Sequence, residues 1–262
     1  MNARLVAGAL RVGSSWIDSA EQWQRVGELA AGSPEIDTAG LFPGDRIQRA
    51  DRVTQLGAVV LARAVADLAP CETEGFGVIT ASMLATAHTN ERFERRRVEQ
   101  RPPEPRVFPY TAPNAAGGEF SIALGARGPS LALVGGPEVG LVAVERACAW
   151  LARGDAARVV VVATECVPPT WSTVAPSGIV PVECAAALVL DRADRSLGGL
   201  VRARWLAVDD VGANPALEEP ADPTLSVGPL AALVVAARTG LAARVRVRPR
   251  VGSAIEVVLD PR

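Results

Sequence analysis

The residues best placed to do chemistry lie in one stretch, Gly128-Pro129-Ser130-Leu131-Ala132-Leu133-Val134-Gly135-Gly136-Pro137-Glu138-Val139-Gly140. It reads as a strand, a sharp turn and the start of a helix. Such a turn lifts one side chain above the end of a sheet. It also aims backbone N–H groups and the positive end of the helix dipole at whatever sits there. Enzymes use this geometry to present a Ser or Cys nucleophile. The turn here is Gly135, Gly136, Pro137 and Glu138 and holds neither. The same pattern also describes an ordinary strand-to-helix connection. Glu138 is either a favourable charge at a helix N-terminus or a carboxylate inside a pocket at the turn.

The other reactive residues are sparse. All 27 residues counted as Lys+Arg are Arg, and His88 is the one histidine. Without Lys there is no P-loop, no pyridoxal Schiff base and no kinase site. One histidine excludes an HExxH zincin or a His-rich metal site, so neither a metal nor a cofactor is expected. Cys71, Cys148, Cys166 and Cys184 form no CxxC pair and read as buried thiols. Cys148 stands about three turns into a helix, too deep to feel its dipole. Cys184, near a sheet end, is the better candidate for residual reactivity. His88 reads as exposed or hydrogen-bonded. The five tryptophans (Trp16, Trp23, Trp150, Trp171, Trp205) form no stacking platform and read as packing residues.

Strands and helices alternate around this turn. Strands are predicted over 5–12, 75–80, 130–134, 158–164, 184–190, 200–208, 244–248 and 255–259. Helices are predicted over 16–31, starting at Asp18 or Ser19, and over 49–68, 86–100, 115–125, 138–153 and 229–240. Pro137 suits a first helical turn, where its missing N–H costs nothing. Loop is expected over 33–46, an extended or irregular path through the five prolines of 101–113, and an exposed linker over 212–224. Alternation of this kind argues an α/β fold, a mixed sheet covered by helices.

The chain has 262 residues, 49% hydrophobic and 21% charged, enough for a proper core. A net charge of −2 and a pI near 5.6 give no sign of nucleic-acid binding, and Arg95-Arg96-Arg97 reads as a solvated helix face. Residues 1–10 lack a signal-peptide pattern and no apolar run reaches membrane length, so a soluble cytoplasmic protein with no membrane partner is expected.

Several segments, in order, resemble the N-terminal half of the β-ketoacyl synthases, members of the thiolase-like fold. They are Phe108-Pro109 to Pro113-Asn114 with Ala115-Ala116-Gly117-Gly118, then Leu124-Gly125-Ala126-Arg127-Gly128-Pro129-Ser130. Next come Arg153-Gly154-Asp155 with Val159 to Val162 and Glu165, and Glu183-Cys184-Ala185-Ala186-Ala187-Leu188-Val189-Leu190, with Cys184 where the family has glycine. The resemblance covers residues 3–208. It implies a single thiolase-like unit over 1–262, with a nearly complete N-terminal repeat (about 1–195) and a truncated C-terminal one (about 200–262).

Counted from Gly128-Pro129-Ser130, the family's nucleophilic Cys falls on Pro137. The histidine pair and the lysine of its C-terminal half have no counterpart. A Claisen condensation needs the thiol and the donors together, so no catalytic residue and no condensing activity are expected. The resemblance implies a chain-length-factor-type subunit that pairs with an active β-ketoacyl synthase in polyketide, aryl polyene or fatty-acid-like elongation on an acyl carrier protein. It places Ser130, Leu131, Ala132, Leu133 and Val134 at a dimer edge and Phe108, Tyr110, Asn114 and Phe120 along a tunnel. The same edge would serve a homodimer in isolation as well as the heterodimer. The alternative is a stand-alone acyl-thioester decarboxylase or hydrolase using backbone donors at 136–139.

Overall fold

The computed structural model describes residues 2–26, 34–66, 68, 75–102, 104–170, 182–192, 194, 199–206, 225–239, 241–247 and 254–260. Cys71, Trp171 and the 212–224 linker lie outside them.

The strands are β1 (Asn2–Val12), β2 (Ser15–Trp16), β3 (Phe76–Ser82), β4 (Ser130–Val134), β5 (Arg158–Glu165), β6 (Cys184–Arg192), β7 (Gly199–Leu206), β8 (Ala243–Val247) and β9 (Ala254–Asp260). They form one sheet in the order β4-β3-β5-β6-β1-β7-β9-β8, with β2 paired to β1. β3 runs parallel to β4 and β5, and every other pairing is antiparallel. The helices are α1 (Ala20–Gln24), α2 (Arg46–Arg49), α3 (Arg52–Val65), α4 (Ala87–Val98), α5 (Ala115–Leu124), α6 (Val139–Arg153) and α7 (Gly228–Thr239).

Period-two alternation sorts the sheet into two buried faces. On β5, Val159, Val161 and Ala163 face α6 and α7, while Val160 and Val162 face α3 and α5. The result is an α/β/α sandwich whose sheet is buried on both sides over β3, β5, β6 and β1. The parity of β1 flips along its length. Ala3 and Leu5 share the α6 side with Leu10 and Val12, because the register shifts between Leu5 and Ala7. One extra residue in a strand reverses which face its neighbours take.

The C-terminal part does not build a separate sheet. β7 pairs with the start of β1, and β9 and β8 continue outward, with α7 covering one side. The helix expected over 16–31 is, among the described residues, only Ala20–Gln24, closed by a capping box between Ser19 and Gln22. Trp16 belongs to a strand instead, under the Arg63 guanidinium at 4.2 Å. α3 begins at Arg52, where Asp51 accepts from Thr54 N. Within the proline-rich stretch, Phe108–Thr111 forms a turn of 3-10 helix. Among the described residues, no helix is long and apolar enough to cross a membrane.

Candidate functional site

β4 is an edge strand paired only with β3, and it leads into the turn at Gly135–Glu138. α6 starts at Val139, so Pro137 stands ahead of the helix rather than in its first turn. The turn uses its own donors. Gly135 N–H reaches Ser82 O at 3.4 Å, Gly136 N–H reaches Glu138 Oε1 at 3.2 Å, and Val139 N–H reaches Gly136 O at 3.0 Å. The Glu138 carboxylate therefore sits where an anion would be received. A Cβ on Gly136 would stand 2.5 Å from Glu138 Oε2, so glycine is what lets the carboxylate fold back. Of the backbone donors at 136–139, Gly136 N–H and Val139 N–H are bonded within the turn, and Pro137 has none.

The ladder to β3 fixes the other side of β4. Pro129 O accepts from Val78 N and Gly135 N donates to Ser82 O. In a parallel ladder alternate residues bond to one neighbour. Residues 129, 131, 133 and 135 thus serve β3, and Ser130, Ala132 and Val134 turn their N–H and C=O groups outward. Leu131 and Leu133 pack toward α6, and Val134 is 54% exposed. Ile122, on the neighbouring α5, is 58% exposed.

Behind β4 lies a cavity of ≈ 30 Å³, lined by Thr54, Thr80, Tyr110, Phe120, Leu133 and Thr164 among others. It has room for about one water. The Phe120 ring fills the space beside it and is 1% exposed. The Tyr110 hydroxyl donates to Glu119 Oε1 at 3.2 Å, and Glu119 is gripped by Arg46 through two bonds of 2.9 Å. Burial, and then the Glu119 charge, push Tyr110 up to about 12. The four tunnel candidates thus separate. Tyr110 and Phe120 meet at the cavity. Phe108 is 64% exposed and tilts against Phe93 at 6.0 Å, and Asn114 lies exposed ahead of α5.

Two groups make long-range bonds that the sequence does not announce. Glu165, at the end of β5, is fully buried and accepts from Met83 N, Leu84 N, Ser82 Oγ and Ser226 Oγ. It ties the loop after β3 to the start of α7. Asp51 Oδ2 accepts from Thr89 Oγ1 at 2.5 Å, joining α3 to α4. Asp51 could have been read as a cap, since it precedes a helical run.

His88 is apart from the turn. It lines an open cleft of ≈ 490 Å³ with Arg49, Arg52, Arg92, Arg106 and Tyr110. Burial holds it below the usual imidazole range. Cys148, Cys166 and Cys184 are all fully buried, so Cys184 has no access to a reagent. Arg95 and Arg97 pair with Glu91 and Glu94, and Arg96 with Glu104. Among the described residues, no group of three or more His, Cys, Asp or Glu could hold a metal.

An edge strand, a glycine turn and a helix beneath a two-sided sheet make up the site end of an α/β protein. The chain belongs to the β-ketoacyl synthase family: the model of the β-ketoacyl synthase N-terminal domain matches residues 37–178. No curated protein sequence matches the chain. Among solved structures, a chain of the ishigamide ketosynthase/chain length factor is 19% identical with a TM-score of 0.70, covering 100% of this chain and 99% of that one. A chain of the ketosynthase ApeO in complex with its chain length factor ApeC, from Xenorhabdus doucetiae, is 14% identical at a TM-score of 0.66, with 100% of both chains covered. A chain of AntDE:AntF is 12% identical at 0.77, covering 100% and 99%. That structure is a type II polyketide synthase acyl-carrier protein in complex with its ketosynthase bound to the hexaketide. Likeness at such identities is one of fold, and the fold is thiolase-like.

Proposed function

We propose that the chain is a chain-length-factor-type subunit that pairs through β4 with an active β-ketoacyl synthase and has no condensing activity of its own. The observation that carries this is the difference between the two edges of one sheet. The outer edge strand, β8, carries Arg244 and Arg246, charges of the kind that discourage edge pairing. β4 carries no charge, proline or bulge, and its Val134 is exposed. Such an edge is an aggregation hazard unless a strand covers it.

The residue types support this reading of catalytic silence, with Pro137 taken as the nucleophile position on the motif count. Pro137 stands at the nucleophile position, His88 lies in a separate cleft, and there is no lysine. The partner would supply the thiol and the histidines. A cavity of ≈ 30 Å³ holds no acyl chain, so a tunnel needs the partner's surface, with Tyr110 and Phe120 closing its end and Phe108 and Asn114 free to meet the partner. An acyl carrier protein would then serve the pair. The whole of 1–262 is read as one thiolase-like unit, its residues 200–262 a reduced second repeat.

The test is co-expression with the ketosynthase encoded nearest, with only this chain tagged, followed by light scattering. A one-to-one heterodimer is expected. Ala132→Pro should abolish it while the chain stays folded, because the Ala132 N–H points away from β3 and serves no bond among the described residues. Recovery of a homodimer without the ketosynthase would overturn the reading.

A further inference from the structure

The side of the C-terminal sheet extension away from α7 is a charged platform that the reading above leaves unused. Register sets its residues in two rows. Arg204, Glu256 and Arg246 form one, and Arg202, Val258 and Arg244 the other. Strands lie about 4.8 Å apart and alternate residues about 6.8 Å apart. The four arginine positions therefore mark a rectangle of about 10 by 7 Å.

Glu256, 1% exposed, organises it. Its Oε2 accepts from Arg204 Nε at 2.8 Å and its Oε1 from Arg246 Nε at 2.5 Å. Arg244 Nε stands 3.8 Å away, outside hydrogen-bonding range. Arg202 pairs with Asp260. The side chains of Arg202, Arg204 and Arg244 are 52%, 64% and 62% exposed. Four guanidinium groups thus face two carboxylates, a local positive excess on a chain of net charge −2.

We propose that this platform docks an acidic helix of a partner protein. On one helix face, carboxylates at i and i+4 lie about 5–6 Å apart and those at i and i+7 about 10.5 Å. The i to i+7 spacing matches the long side of the rectangle, so a helix laid along it sets two carboxylates over the Arg202 and Arg244 row. Guanidinium groups already held by Glu256 lose less freedom on binding, and their forks suit carboxylates. Nucleic acid fits less well, because the negative net charge of the chain opposes an extended polyanion. The platform stands at the far end of the sheet from β4, five to seven strand spacings or about 24–34 Å away. Pairing at β4 leaves it open.

The test uses fluorescence anisotropy on the full chain with three labelled probes. One is a helical peptide with Glu at i, i+4 and i+7, the second its Lys-for-Glu counterpart, and the third a short DNA duplex. The variant is R202E/R244E, which spares the two arginines bonded to Glu256. The expected result is saturable, salt-sensitive binding of the acidic peptide, at least ~10-fold weaker in the variant, with an unchanged melting curve. Should the double variant melt early, R244Q should show a smaller loss in the same direction. Equal binding by wild type and variant, no binding of the acidic peptide, or tighter binding of DNA would each overturn the proposal. Ketosynthase recovery by R202E/R244E is read separately, so the two proposals fail independently.

Discussion

The Phe120 ring lies directly against the Cα of Gly57. A Cβ on Gly57 would stand 2.6 Å from Phe120 Cζ and 2.9 Å from Thr164 Oγ1. This explains a glycine in the middle of α3, where it costs about 1 kcal/mol of helix propensity relative to alanine. The contact sets the closed end of the cavity behind β4. Gly57→Ala should therefore destabilise the protein by about 1–3 kcal/mol despite the better propensity. Phe120→Ala should cost about 3–5 kcal/mol and enlarge the cavity. Phe120→Leu added to Gly57→Ala should recover part of the loss. Urea unfolding measures all three, and a Gly57→Ala variant more stable than wild type would refute the packing argument.

Tyr110 is the one tyrosine in the chain, so ultraviolet titration of phenolate reads it alone. Burial first, and Glu119 second, push it to about 12. The absorbance midpoint should lie there, above the ordinary phenol value of about 10. Glu119→Gln should lower it, since the negative neighbour is removed. A midpoint at the ordinary value would place the hydroxyl in water rather than beside the cavity.

Glu165 should make stability depend on pH in an unusual direction. Burial raises it, and the bonds from Met83 N–H, Ser226, Leu84 N–H and Ser82 offset only part of that. A folded value above the unfolded one means that the folded state holds the proton more tightly. Its stabilising contribution is present below the ordinary carboxylate range and is lost as pH rises through the folded value. Glu165→Gln removes the titration and sets an amide against a backbone N–H. It should be less stable, yet lose less between about pH 5 and about pH 8 than wild type. Parallel pH curves for the two proteins would show that Glu165 titrates normally.

Three of the four cysteines are buried, which leaves at most one to react in the native state. Burial pushes the Cys148 thiol up to about 12 and Cys166 well above its usual value. A thiol reagent should therefore modify no more than one cysteine quickly, and all four after unfolding. Rapid labelling of two or more would contradict the packing around Cys148, Cys166 and Cys184.

What the sequence made legible was local or periodic. Gly154 closes α6 at φ 79°, and the four valines of β5 mark a strand buried on both faces. The strand, turn and helix of the candidate site were readable for the same reason. What escaped depended on partners far along the chain. Glu165 and Ser226 are 61 residues apart, and Asp51 and Thr89 are 38 apart. No periodicity reports such a bond. Phe108, Tyr110, Asn114 and Phe120 looked alike as a cluster, but one turn of 3-10 helix separates exposed Phe108 from Tyr110 at the cavity. The parity change in β1 was hidden because a bulge leaves the composition of a strand untouched.

β1 sits inside the sheet, between β6 and β7. Apart from the two-residue β2, its partners are Cys184–Arg192 and Gly199–Leu206, so β1 waits until Cys184 has been made before either long flank begins to fill. Pairings so distant must meet a large loop-closure entropy before any contact rewards them. The protein should therefore fold late and slowly, with β1 as an unsatisfied apolar ribbon during synthesis. A nascent chain of this kind depends on chaperones or on speed of completion, and truncation anywhere before β6 should give an insoluble product.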